Sequence, residues 1–186
     1  MFIQTETTPN PSTVKFIPGK QVMTKGTASF RKGDDTKSSP LAGRILAIDG
    51  VDGVFFAADF ISVTKADGRD WLPLKPLVLA AIMEHFTGDD PVVLDAQTND
   101  PVTVDPLESE IVAQIRELIE TRVRPAVAAD GGDIVFHRFE RGIVYLQMHG
   151  ACAGCPSSTA TLKHGIENML RHYIPEVLEV RAADAA

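Results

Sequence analysis

The chain has 186 residues, 44% of them hydrophobic, and a net charge of -7 at pH 7, a globular composition with room for two small domains. The acidic balance argues against a nucleic-acid partner, which needs a cationic face to neutralise phosphates. The longest apolar stretch, residues 76–83, is far short of the roughly 20 residues that span a bilayer. The opening Met1-Phe2-Ile3-Gln4-Thr5-Glu6 reads neither as a signal peptide nor as an Arg-rich presequence. We therefore expect a soluble, non-secreted chain with no membrane and no nucleic-acid partner.

Residues 2–7 and 13–17 alternate apolar and polar around Thr8-Pro9-Asn10-Pro11-Ser12, which predicts two strands joined by a turn. Ser39-Pro40 is a helix-start signal, and Leu41, Ile45, Leu46 and Ile48 follow with a short apolar face that ends at Gly50. Residues 51–56 and 60–64 read as a strand pair. Leu74, Leu77, Val78, Ala81, Ile82 and Phe86 keep helical spacing up to Gly88. Trp71 and Phe30 stand at element boundaries and read as core, and the scattered Asp49, Asp52, Asp59, Asp67 and Asp70 read as turn residues. No catalytic constellation is visible, and the chain is expected not to be an enzyme.

Residues 89–105 change character, with five aspartates, no Lys or Arg, and Pro91 and Pro101 interrupting; this predicts a linker, partly ordered around Val92-Val93-Leu94. Asp105, Pro106 and Glu108 then form a strong helix start. Ile111, Val112, Ile115, Leu118, Ile119 and Val123 draw one apolar stripe, which Pro125 should kink or end near Arg124. Ala129-Asp130-Gly131-Gly132 reads as the turn out, with a glycine free to take a left-handed position. Strands are expected over 133–139 and 143–148. A final helix carries Leu162, Ile166, Met169, Leu170 and Tyr173 and stops at Pro175, with a short strand over 177–181. The expectation is an α+β fold of two small mixed domains, residues 1–88 and 106–186, joined by the acidic linker 89–105, the second domain running helix, strand, strand, Cys-x-x-Cys loop, helix.

Both cysteines of the chain, Cys152 and Cys155, lie in Gly150-Ala151-Cys152-Ala153-Gly154-Cys155-Pro156. Two residues between thiols, one of them glycine, let a tight turn aim both sulfurs at one point, as a shared metal centre or an internal disulfide requires. Pro156 suits the first position of a helix. Cys155 would then be the N-cap, where free N–H groups and the helix dipole favour thiolate.

Asp130-Gly131-Gly132-Asp133-Ile134, Gly150-Ala151-Cys152-Ala153-Gly154-Cys155-Pro156-Ser157-Ser158, Thr161-Leu162-Lys163, Gly165-Ile166-Glu167 and Ile174-Pro175-Glu176-Val177 together resemble the NifU C-terminal-like domain of Nfu-type iron-sulfur proteins. Thr8-Pro9-Asn10-Pro11, Lys15-Phe16 and Pro18-Gly19 are similar to the Nfu N-terminal domain. The resemblance covers almost the whole chain. It implies a scaffold or carrier that holds a 4Fe-4S cluster between two subunits and passes it to apoproteins, with Cys152 and Cys155 as the cluster ligands. It also implies a homodimer in the cluster-bound form, upstream assembly proteins that load it, and a bacterial cytoplasmic or mitochondrial matrix location. An all-cysteine cluster needs four thiolates, and one chain has two cysteines.

Two other chemistries fit the local motif. A strand, a Cys-x-x-Cys and a helix N-terminus also describe a thiol-disulfide oxidoreductase, although the 31 residues after Cys155 are too few for the rest of a thioredoxin-like sheet. Structural zinc would recruit His149 and another histidine, but His137, His164 and His172 fall on a strand or on helix faces, where a lone His is more often a surface or core residue, and His149 alone stands near the thiols.

Overall fold

The computed structural model describes residues 2–88, 90–94, 109–153 and 156–183, and only the backbone of residues 109 and 156–159. The chain divides into two compact units, Met1–Asn99 and Asp100–Ala186.

The first unit is an antiparallel sheet in the order β1-β2-β5-β4-β3, with two helices. Strands β1 (Gln4–Thr7) and β2 (Thr13–Ile17) pair in register Thr7↔Val14. The Thr8–Ser12 turn between them holds itself: Asn10 Oδ1 accepts the Ser12 N–H at 3.0 Å, and the Thr8 hydroxyl reaches the carbonyls of Asn10 and Thr13. Trp71 donates from its indole N–H to the Pro11 carbonyl at 3.1 Å, so this proline-rich motif is anchored structure. Strand β3 (Ala28–Arg31) is an element the sequence pattern did not disclose. Strands β4 (Val51–Phe56) and β5 (Ile61–Lys65) form the expected pair.

Helix α1 (Pro40–Leu46) begins at the predicted signal, Ser39 accepting the Ala42 N–H as N-cap. The buried Ser39 hydroxyl also donates to the Val92 carbonyl at 2.6 Å, and Leu94 N–H bonds to the Ser38 carbonyl. Val92 joins the core made by Phe16, Val54, Phe56, Ile61, Val63, Leu41, Ile45, Val78 and Ile82. The first residues of the acidic stretch thus pack on this unit; residues 89 and 95–105 lie outside the described residues. Helix α2 (Trp71–Thr87) starts at its Asp70 cap. It buries Leu74, Val78 and Ile82, while Leu77, expected on the same stripe, is 53% exposed, because the helix turns it away from the sheet.

The second unit is a three-stranded sheet, β6-β7-β8, with helices packed against it. Helix α3 (Ser109–Leu118) is described from Ser109, so the predicted cap at Asp105-Pro106-Glu108 lies outside the described residues. A π turn, Ile119–Val123, follows, and the helix resumes as α4 (Arg124–Ala129). Pro125 therefore does not end the helix. It stands in the first turn of α4, where its missing N–H costs least, and the wider π turn before it takes up the break in the ladder. Strands β6 (Gly132–Glu140) and β7 (Ile143–Gly150) are antiparallel with a bulge between Phe136 and Arg138. Helix α5 (Pro156–Tyr173) begins at Pro156 as expected. Strand β8 (Glu179–Ala182) then returns parallel to β7, with Ile143↔Glu179 in register. The core joins Ile115, Ile119, Val123 and Val127 from α3, the π turn and α4, Ile134, Val144, Leu146 and Val180 from the sheet, and Ile166, Leu170, Ile174 and Val177 after the cysteines.

Candidate metal centre

Two turns meet where the cysteine loop leaves β7. The first, between α4 and β6, is closed by Asp130 N–H on the Val127 carbonyl and Gly131 N–H on the Ala128 carbonyl. Gly131 has φ +79, the left-handed conformation that a side chain resists, as the double glycine predicted. The second carries Cys152: Cys152 N–H bonds to the His149 carbonyl at 3.3 Å, Ala153 N–H to Gly150 at 3.1 Å, and Gly150 has φ +60. Ala151 N–H reaches the Gly131 carbonyl at 3.1 Å and joins the two turns.

Gly132 makes that junction possible. It pairs with Gly150 across the ladder, and a Cβ on it would fall onto Cys152, 2.9 Å from its backbone N and 3.1 Å from its Cβ, with Sγ in the way as well. No side chain fits there, which gives the second glycine a reason distinct from the first: close approach instead of φ.

Cys152 itself is 6% exposed and belongs to the core of the second unit. Burial pushes its thiol up to about 12, with the carboxylates of Asp130 and Asp133 pushing the same way. Thiolate was expected at Cys155, the helix N-cap, which lies outside the described residues; Cys152, four residues before Pro156, lies among apolar side chains and acids, which favour its neutral form. Cys155 lies outside the described residues, so the described geometry is that of one thiol and its supports.

Beneath the turn, Arg124 makes a side-on pair with Asp133, Nε to Oδ1 and Nη2 to Oδ2 both at 2.8 Å, while Nη1 reaches the Glu120 carboxylate at 2.8 and 2.9 Å. The hydrogen bond to Asp133 and the Glu120 charge raise the Arg124 pKa further above its ordinary value. Asp133 Oδ1 also accepts the Ile134 N–H at 2.8 Å. The resemblance quoted Asp130-Gly131-Gly132-Asp133-Ile134 as a motif without saying what it does; the arginine that completes it is not part of the motif and was missed. Its sequence signal is a basic residue just before Pro125. Among the described residues, no group of three or more Cys, His, Asp or Glu side chains is placed to hold a metal ion.

The sequence was also compared with known proteins. The family described as scaffold protein Nfu/NifU N terminal matches residues 3–89, and the NifU-like domain family matches residues 115–181. A Drosophila sechellia protein named NFU1 iron-sulfur cluster scaffold homolog, mitochondrial, is 50% identical over 181 residues, covering 97% of this chain and 64% of that one. The Arabidopsis thaliana NifU-like protein 4, mitochondrial, is 52% identical, covering 95% of this chain and 64% of that one. The chain thus spans 64% of the length of these relatives. A NifU-like protein from Saccharomyces cerevisiae, solved in solution, is 22% identical over 54% of this chain and 87% of its own, with a TM-score of 0.46. With the two families matched in order along it and relatives half identical over nearly all of its length, the chain belongs to the Nfu family of NifU-like proteins.

Proposed function

We propose that this chain is an iron-sulfur cluster scaffold and carrier, in which Cys152 and Cys155 from each of two chains hold one 4Fe-4S cluster as cargo and release it to apoproteins. The observation that carries the proposal is the family membership joined to the cysteine count: two thiols per chain are half of what an all-cysteine cluster takes. The cluster-bound form is accordingly a homodimer, the partners are apo iron-sulfur proteins downstream and assembly proteins upstream, and no reaction is catalysed. Both relatives quoted above are named mitochondrial, and we assign this chain to the mitochondrial matrix, or to the cytoplasm if it is bacterial. The domains are assigned as residues 1–88 and 106–186 with the linker between them.

The donor chemistry fits such cargo with one condition. A sulfur shared between two chains has to reach a surface, and Cys152 is buried with its thiol neutral. Loading therefore takes the proton from Cys152 and brings its sulfur outward. The segment that must shift is short, running from Gly150 toward Pro156, and is held by the turn hydrogen bonds and the contact with Gly132. The same condition speaks against a thiol-disulfide oxidoreductase, whose attacking sulfur has to be a thiolate near neutral pH.

Protein reconstituted without oxygen is expected to carry about two iron and two sulfide per chain, one 4Fe-4S cluster for each pair of chains. Mixed with an apo-acceptor of 4Fe-4S type in the presence of a chelator, it should activate the acceptor while losing its own absorbance. A colourless protein with one zinc per chain, or a donor that keeps its cluster, would overturn the proposal.

A further inference from the structure

We propose that Arg124 and Asp133 are the positioning pair for Cys152, holding the backbone floor on which the cysteine loop rests; this deepens the carrier reading and rests on it. The floor is Gly132-Asp133. Gly132 lies against the backbone and side chain of Cys152 so closely that not even a methyl group fits between them, and Asp133 is the next residue, paired across the ladder with His149. A small shift of residues 132–133 therefore moves the seat of Cys152.

Arg124 fixes this seat in two directions. Its side-on pair with both Asp133 oxygens orients the carboxylate, and one of those oxygens accepts the Ile134 N–H, tying the side chain back to its own strand. Glu120, one turn earlier, takes the remaining guanidinium nitrogen through both of its oxygens, so the arginine cannot rotate without breaking four bonds. The π turn Ile119–Val123 separates α3 from Arg124 and sets where α4 begins. The Asp133 side chain is 6% exposed and that of Arg124 28%. A desolvated pair of this kind adds little net stability over apolar residues of the same size, whereas a fork-shaped bidentate contact specifies position. Its place directly under the cysteine loop gives that specificity a use.

The test uses the full chain with Cys155→Ser, in which Cys152 is the sole thiol, and follows its alkylation by iodoacetamide at pH 8 in Arg124→Gln, Asp133→Asn and, as control, the exposed Arg181→Gln. Both clamp variants should react at least ten-fold faster than the parent, at a rate that does not depend on urea in its low range, the mark of local opening; the control should match the parent. Charge alone moves the two variants in opposite directions, since removing the Asp133 carboxylate favours the thiolate and removing Arg124 disfavours it. Loss of positioning speeds both. Rates equal to the parent's, rates of opposite sign, or a rise that only tracks global unfolding would overturn the proposal. With both cysteines present and the cluster reconstituted, the clamp variants should release iron to a chelator about ten-fold faster than wild type, and equal release would also overturn it. If wild type itself takes up no iron and sulfide, the carrier reading fails while the alkylation rates still decide the clamp.

Discussion

A thiol held neutral inside a folded chain makes the chain's stability fall at alkaline pH, and the size of the fall follows from Cys152. Its pKa is pushed from 9.0 to about 12, chiefly by burial and further by Asp130 and Asp133. A group whose folded-state pKa is raised stabilises fully below its unfolded value and loses that contribution as pH rises through the folded value. The window is therefore pH 9 to 12. The difference of roughly 3 units corresponds to about 4 kcal/mol at its limit, and to about 1.4 kcal/mol per pH unit within the window. Urea unfolding of Cys155→Ser, compared with the Cys152→Ala/Cys155→Ser double variant, isolates the effect, because every lysine and tyrosine titrates in both. The stability difference between the two should move by about 1.6 kcal/mol against the chain retaining Cys152 between pH 9 and 10.5, enough to reverse its sign. At pH 8 the same shift leaves about one Cys152 in ten thousand as thiolate, against about one in ten when unfolded, so alkylation should be roughly 1000-fold slower in the folded chain. A stability difference that stays flat across this window, or alkylation at the unfolded rate, would refute the buried, neutral thiol.

Replacing either Cys152 or Cys155 by alanine should leave reconstituted protein without visible absorbance, and Cys152→Ala, in the core, should also cost about 1 kcal/mol in urea unfolding; wild-type absorbance in either variant would remove that residue as a ligand. His85 on α2 is buried, and among the described residues neither ring nitrogen has a hydrogen-bond partner. Burial lowers its pKa, Arg44 acts in the same direction and Asp90 opposes, so its contribution is present above pH 6.5 and lost as pH falls through the lowered value. His85→Phe should flatten the acid limb of the first unit's unfolding, and an unchanged limb would count against the assignment.

Local chemistry made much of this fold legible. Ser39-Pro40 and Asp70 cap the helices that follow them, Gly131 takes the left-handed turn, and Pro156 opens α5. What stayed hidden depends on tertiary placement. Strand β3 is four residues paired with β4, too short for alternation to stand out, and Leu77 keeps the helical period while facing away from the sheet. Pro125 reads as a helix kink or end, and the π turn before it decides between the two. At the site, Cys-x-x-Cys gave the chemistry of the pair, but the protonation of Cys152 depends on its burial beside Asp130 and Asp133, which the spacing of two thiols does not encode. The clamp was hidden for a similar reason, since Arg124 and Asp133 are nine residues apart with a turn between them.

The buried thiol also bears on how a carrier avoids its own hazards. An exposed pair of thiolates at a helix N-terminus would oxidise or take up whichever soft cation arrived first. Cys152 in its resting seat is shielded from both, because its sulfur is covered and keeps its proton. On the proposed carrier reading, loading would have to overcome that protection, and the energy is available: thiolate–metal bonds form with loss of the proton, and the favourable binding offsets a deprotonation cost of a few kcal/mol. On the same reading unloading would run the other way, since the empty chain regains the buried, protonated state. A seat that favours the neutral, covered sulfur thus disfavours permanent retention of the cargo. That bias suits a protein that hands a cluster on, and it would work against one that keeps a cluster in place to shuttle electrons.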